Sequence, residues 1–312
     1  MKRGLVVSVG GSKGAYAGGI VEYYLQNGKK YDNLYGSSIG SLVTPFAATG
    51  NYNKLKTAML KVSTDDVFSV NPFKIQSNQN GIFKYTINYL NVFKNLFINK
   101  SNTLGDTSKL RTEIIPQFFP EKDYLEIINS DIVLKIMVTN ISTGELEIKS
   151  IKECTYNQFT DWLWASTCAP PFMSLADIQG CHYTDGGILS QVPIKMAILD
   201  GCSEIDVIIL DKENDNWAIE HIRNLFHYQI KVMLLMMNRI KDHQIDLDYL
   251  TYIAKKKVRV NMHFLERRLT NNSLLFDPEL MAKWWKEGYA YAENMRCKSY
   301  LIDGRNGTYS EL

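Results

Sequence analysis

The chain reads as an α/β protein: three layers, with a central, mostly parallel sheet between helices. Two observations predict it. First, apolar runs of strand length alternate with helical patterns from the N-terminus onward, and that alternation builds parallel sheets covered on both faces. Second, the 312 residues carry 45% hydrophobic side chains and no apolar run of about 18 residues, which suits a globular core and gives no membrane span.

Leu5-Val6-Val7-Ser8-Val9 is the first strand, opening into Gly10-Gly11-Ser12-Lys13-Gly14. A helix follows over 15–27. Tyr35 closes the second strand, and helices are expected over 39–49 and 52–61. Further strands are expected over 132–139, 146–150, 181–184, 205–210 and 257–265. Helices are expected over 107–117, 155–166, 191–200, 215–240 and 278–293. Ligands of such sheets bind beyond the carboxyl ends of the strands, so segments following Val9, Tyr35 and Thr184 should converge on one edge.

Residues 65 to 105 carry the weakest pattern. Asn71-Pro72 and Asn80-Gly81 are turn signals. Ile82, Phe83, Thr86, Ile87, Leu90, Phe93, Leu96 and Phe97 recur at helical spacing. That stripe reads either as an amphipathic helix packed on the core or as a lid that meets lipid. Ile219, Ile222, Leu225, Phe226, Ile230, Met233, Leu234 and Met237 form a second stripe, which reads either as core packing or, through its methionines, as an adaptable surface for acyl chains.

The chemistry centres on Ser38, in the pentapeptide Gly36-Ser37-Ser38-Ile39-Gly40. A nucleophilic serine on a sharp strand-to-helix turn needs glycine two residues before and two after, where a Cβ would collide with backbone. The helix after it aims the positive end of its dipole at the serine, and the Ile39 N–H is placed to donate to an oxyanion. The glycine-rich loop offers further N–H groups to an anion. It is not a nucleotide P-loop, since no Gly-Lys-Ser/Thr closes it. Tyr183-Thr184-Asp185-Gly186-Gly187 adds an aspartate at a strand end.

A Gly-Gly-x-Lys-Gly loop, a Gly-x-Ser-x-Gly elbow, Ala165-Ser166 with Pro170, and Asp185-Gly186-Gly187, in this order, resemble the patatin-like phospholipase family. One departure is Val9, where the family's loop has its first glycine. The resemblance covers most of the chain and implies a single patatin-like domain over 1–312, with 65–125 a candidate cap. It implies a Ser–Asp dyad: Ser38 as nucleophile, Asp185 as general base, and Gly10, Gly11, Ser12 and Ile39 as oxyanion donors. Lys13 would order the loop or meet a head-group phosphate; Gly14, Gly36, Gly40, Gly186 and Gly187 would support the motifs. The implied substrates are phospholipids or lysophospholipids, with peripheral membrane contact and no cofactor.

A Ser-Asp-His triad is the rival within the same chemistry, because His221, His227, His243 and His263 follow Asp185. A catalytically idle lipid- or anion-binding module is the rival from another class. A formal net charge of +2 gives no reason to expect nucleic acid. Five scattered cysteines without a Cys-x-x-Cys point to free thiols and, with no leader-like run, to the cytoplasm. No metal-ligand spacing occurs among His, Cys, Asp and Glu.

Overall fold

The computed structural model describes residues 2–213, 222 and 225–312. In chain order the strands are β1 (Arg3–Val7), β2 (Asn33–Ser37), β3 (Phe73–Gln79), β4 (Ile82–Ile87), β5 (Val133–Asn140), β6 (Glu145–Ser150), β7 (Ala176–Ile178), β8 (Cys181–Asp185), β9 (Glu204–Lys212), β10 (Lys257–Leu265), β11 (Lys298–Asp303) and β12 (Thr308–Glu311). The α-helices are α1 (Gly14–Gln26), α2 (Ile39–Ala48), α3 (Tyr52–Lys61), α4 (Thr64–Val67), α5 (Tyr89–Phe93), α6 (Ile115–Phe118), α7 (Glu121–Ile128), α8 (Tyr156–Thr167), α9 (Ile194–Leu199), α10 (Leu225–Gln244), α11 (Leu247–Ile253) and α12 (Pro278–Glu293).

The centre of the main sheet is parallel, in the order β10-β9-β1-β2-β5. Antiparallel β11 and β12 extend it past β10, while β6, β8 and β7 extend it at β5. Successive residues of a strand face opposite sides, and the core divides accordingly. Leu5 and Val7 join the side covered by α1, α2, α8 and α12, with Ile20, Val43, Phe159 and Trp285. Val6 joins the other side, with Ala197 and Ile198 of α9 and Leu250 of α11. This is the expected three-layer arrangement. Leu5, Val6 and Val7 are fully buried, each contributing roughly 1.5–3 kcal/mol.

Helix ends follow the sequence. Thr155 and Gln158 form a capping box on α8, and Asp277 caps α12 ahead of Pro278 at its first position. The three strand ends that lead into the motifs shift by one or two residues: β1 stops at Val7, β2 runs to Ser37 and β8 to Asp185. Of the helix expected over 215–240, α10 accounts for the part from Leu225 on; Ile219 and His221 lie outside the described residues.

The stripe beginning at Ile82 corrects the sequence reading. Its first four residues belong to β4, which pairs with β3 as a hairpin. Asn80 and Gly81 both take positive φ, 53° and 92°, and this turn chemistry outweighs a helical spacing that six residues cannot distinguish from a strand. Only Tyr89–Phe93 and the wider π-type turn Lys94–Ile98 are helical. Nor does the stripe pack inward along its length: Phe83 joins the core and Ile87 packs on it, but Ile82, Leu90, Phe93 and Phe97 are all more than half exposed.

Candidate active site

The register of β5 brings Ser38 and Asp185 together. Ser37 lies opposite Met137, and Asp185 lies opposite the next residue, Val138. Both partners use the same edge of β5, because β6 occupies the other edge at both positions. β2 therefore ends where β8 arrives from the opposite direction. Ser38 Oγ donates to Asp185 Oδ2 at 2.6 Å.

Ser38 sits at φ 55°, ψ −126°, the strained conformation of an elbow between β2 and α2. The turn is tight enough that a Cβ on Gly36 would stand 2.4 Å from the Gly40 carbonyl. A Cβ on Gly40 would stand 2.1 Å from the Val7 oxygen. Ser166 steadies the elbow from α8: its Oγ accepts from the Ser38 N–H at 3.1 Å and donates to the Met137 carbonyl at 2.7 Å.

Asp185 is buried, and that burial pushes its carboxyl up to about 6, against the opposing pull of bonds from Ser38 and the Gly187 N–H. The Gly187 bond, to Oδ1, is 2.7 Å long and fixes the carboxylate plane. Thr139 Oγ1 donates to the Asp185 carbonyl at 2.9 Å, and the Asp185 N–H donates to the Cys168 carbonyl at 3.0 Å. Gly186 packs on the Met137 carbonyl.

Among the described residues, the amides of Gly10, Gly11 and Ile39 donate to no protein acceptor, and all three residues line the cavity that holds Ser38. Ser12 differs. Its N–H donates to the Ser273 carbonyl at 2.8 Å, which removes it from the expected donor set. Val9, the departure from a triple glycine, spends its N–H on the Gln191 carbonyl and lays its side chain against Gly187. Gly14 packs against Ile39, joining the glycine loop to the elbow.

Lys13 pairs with Asp211 at 2.9 Å, and Lys241 of α10 pairs with the other oxygen of Asp211 at 3.1 Å. Burial would push this carboxyl up, but the two lysines outweigh it and hold it below the ordinary carboxylate range. Gln244, at the end of α10, accepts from the Val192 N–H and donates to the Leu189 carbonyl, in the loop after Asp185. Asp211, Lys241, Gln244 and Ser273 carry no local motif, and only the fold reveals them.

Ser38 and Asp185 open into a cavity of about 410 Å³, within the range of small-molecule sites. Its walls are mostly apolar. Leu42, Phe46 and Met59 contribute from α2 and α3, Leu110, Ile114 and Phe118 from the segment before β5, and Ile230, Met233, Leu234 and Met237 from α10. Among the described residues no histidine lines it. His263 is buried elsewhere, between Tyr24 and Tyr291, with Nε2 3.9 Å from Asp206.

The family model of patatin-like phospholipases matches residues 5–198, well over half of the chain and all four motif segments. The chain belongs to the patatin-like phospholipase family. The family is one of lipid acyl hydrolases, and a lipid substrate follows from membership. No curated protein matches the chain. The solved structure of VipD from Legionella pneumophila aligns with all of this chain and 68% of its own, at a TM-score of 0.43 and 14% identity. Among the described residues no helix is long and apolar enough to cross a membrane.

Proposed function

We propose that this protein cleaves fatty-acyl esters of phospholipids or lysophospholipids through an acyl-enzyme on Ser38. The observation that carries the reading is the 2.6 Å contact between Ser38 Oγ and a buried carboxylate at the floor of an apolar cavity. Asp185 takes the Ser38 proton as Oγ attacks the ester carbonyl carbon. The carbonyl oxygen gains the negative charge, and the amides of Gly10, Gly11 and Ile39 are the donors for it. As the tetrahedral intermediate collapses, Asp185 returns the proton to the departing alcohol oxygen. In the second half Asp185 takes a proton from water, the hydroxyl attacks the acyl carbon, and the proton goes back to Ser38 Oγ as the fatty acid leaves.

The raised carboxyl of Asp185 supports its role as base: it is ionised at neutral pH yet more basic than an exposed aspartate. The apolar walls suit an acyl chain. Residues 65–125 act as a cap over the acyl site within one patatin-like domain, a reading supported by Val67, Tyr85, Leu110 and Phe118 in the cavity lining. A reducing, cytoplasmic setting is supported by five cysteines that are all free thiols.

The test is fatty-acid release from a panel of phospholipids and lysophospholipids, wild type beside Ser38→Ala, with fluorophosphonate labelling in parallel. Serine-dependent release with labelling of Ser38 is the expected result. A folded wild-type protein that neither labels nor releases fatty acid would make the fold a binding module instead.

A further inference from the structure

Residues 67–105 contain four lysines (74, 84, 94 and 100) and no acidic residue, in a chain that carries 33 Asp and Glu. All four lysines are exposed and none forms an ion pair among the described residues. The same segment leaves a cluster of large apolar side chains in water. Tyr89 is 78% exposed and Leu90 84%, and Phe93, Phe97 and Ile98 are each more than half exposed. They share one side of a short helical run: Asn95, on the opposite side, is buried and bonds the Thr103 carbonyl at 2.8 Å. Phe93 and Phe97 stack on each other with centroids 4.9 Å apart, so the face is preformed.

Its place in the fold connects it to the site. The Phe73 ring of the hairpin lies 5.1 Å from that of Phe172, and the Leu104 N–H donates to the Pro171 carbonyl at 2.9 Å. Phe172 and Tyr85 line the cavity. The exposed face therefore stands on the wall of the acyl cavity.

We propose that residues 82–100 form a docking surface for an anionic lipid bilayer. This deepens the function proposed above, since a lipid substrate resides in such a surface. Charge complementarity selects the occupant. An apolar strip rimmed by lysines without any acid fits a plane of acyl chains beneath anionic head groups. Aromatic rings beside Lys94 and Lys100 sit at the depth where the head groups begin. Each lysine close to that plane should strengthen binding about fivefold at low salt, and salt should screen this part alone.

The test uses intact Ser38→Ala protein, so that binding is read without turnover. Flotation is measured with vesicles of phosphatidylcholine alone and with an equal share of phosphatidylglycerol. The expected result is flotation with the anionic vesicles and much weaker flotation with the neutral ones. Adding Leu90→Asp, Phe93→Asp and Phe97→Asp should weaken it at least tenfold. Lys84→Glu, Lys94→Glu and Lys100→Glu together should remove the preference for anionic lipid. None of these six lines the cavity. In the Ser38 background both sets should therefore hydrolyse a soluble short-chain ester at the wild-type rate, which tests the dyad separately. A folded protein that ignores anionic vesicles, or an aspartate variant that floats as well as its parent, overturns the proposal. So does light scattering that shows a dimer broken by the aspartate substitutions, which would give the face to a second copy of the chain.

Discussion

The floor of the cavity and its walls are held in different ways. On the floor, Ser37 and Asp185 sit opposite Met137 and Val138, so strand pairing sets the spacing of Ser38 and Asp185. Backbone contacts leave no room there: Gly36 faces Gly40, and Gly40 faces Val7. The walls come from separate elements, among them Leu110 before β5, Met233 and Leu234 in α10, and Phe276 ahead of α12. A substitution on the floor displaces backbone, whereas one on a wall changes volume. The floor should be brittle in rate and fold, and the walls should be tolerant and decide chain length.

Ser38→Ala and Asp185→Asn should break the floor most completely. Each should lower ester hydrolysis about 10⁴-fold or more with the fold intact, as read by turnover and circular dichroism. Asp185→Asn should also separate rate from stability. Burial raises the carboxyl from 3.8 to about 6, so the folded chain holds this proton more tightly than the unfolded one. Stability then falls as pH rises from about 4 to about 6, by about 3 kcal/mol, and stays lower above that. Asparagine is neutral at every pH, so the inactive variant should melt higher than wild type at pH 7 and no higher at pH 4.

Gly40→Ala tests the crowding itself. Its Cβ would meet the Val7 carbonyl at 2.1 Å, and the loss should be about 3 kcal/mol or more by denaturant melt. Next in size is the pH profile. Since Asp185 must be ionised to take the Ser38 proton, kcat/KM should rise about tenfold per unit below pH 6 and level off above it. Met233→Ala with Leu234→Ala should have the smallest effect: a several-fold shift between long and short acyl esters, with short-ester turnover unchanged. A wall variant that abolished short-ester turnover would erase the contrast.

The same contrast explains what the sequence could reveal. Glycine, serine and aspartate stand at fixed offsets because backbone collides at those places, and such offsets are visible along the chain. The parallel strands were equally visible as short apolar runs. The β3–β4 hairpin was not, because Ile82, Phe83, Thr86 and Ile87 fit a helix as well as a strand until Asn80-Gly81 is given its turn. The edge strands β11 and β12 escape the pattern because β11 holds only Tyr300, Leu301 and Ile302 between polar residues, and β12 is mostly polar and exposed throughout. The family resemblance counts Ser12 among the oxyanion donors, because nothing local announces that Ser273, 261 residues later, accepts its N–H. Contacts of that range leave no trace in spacing.

Asp211 has a mechanical consequence. Its two oxygens join the glycine loop, through Lys13, to α10, through Lys241, and Gln244 ties the same helix to the loop after Asp185. The helix thus works as a crossbar fastened to both halves of the cavity floor. A force that lifts it at the surface is felt at the amides of the glycine loop beside Ser38, and a molecule that locks those amides in place fastens the helix by the same free energy.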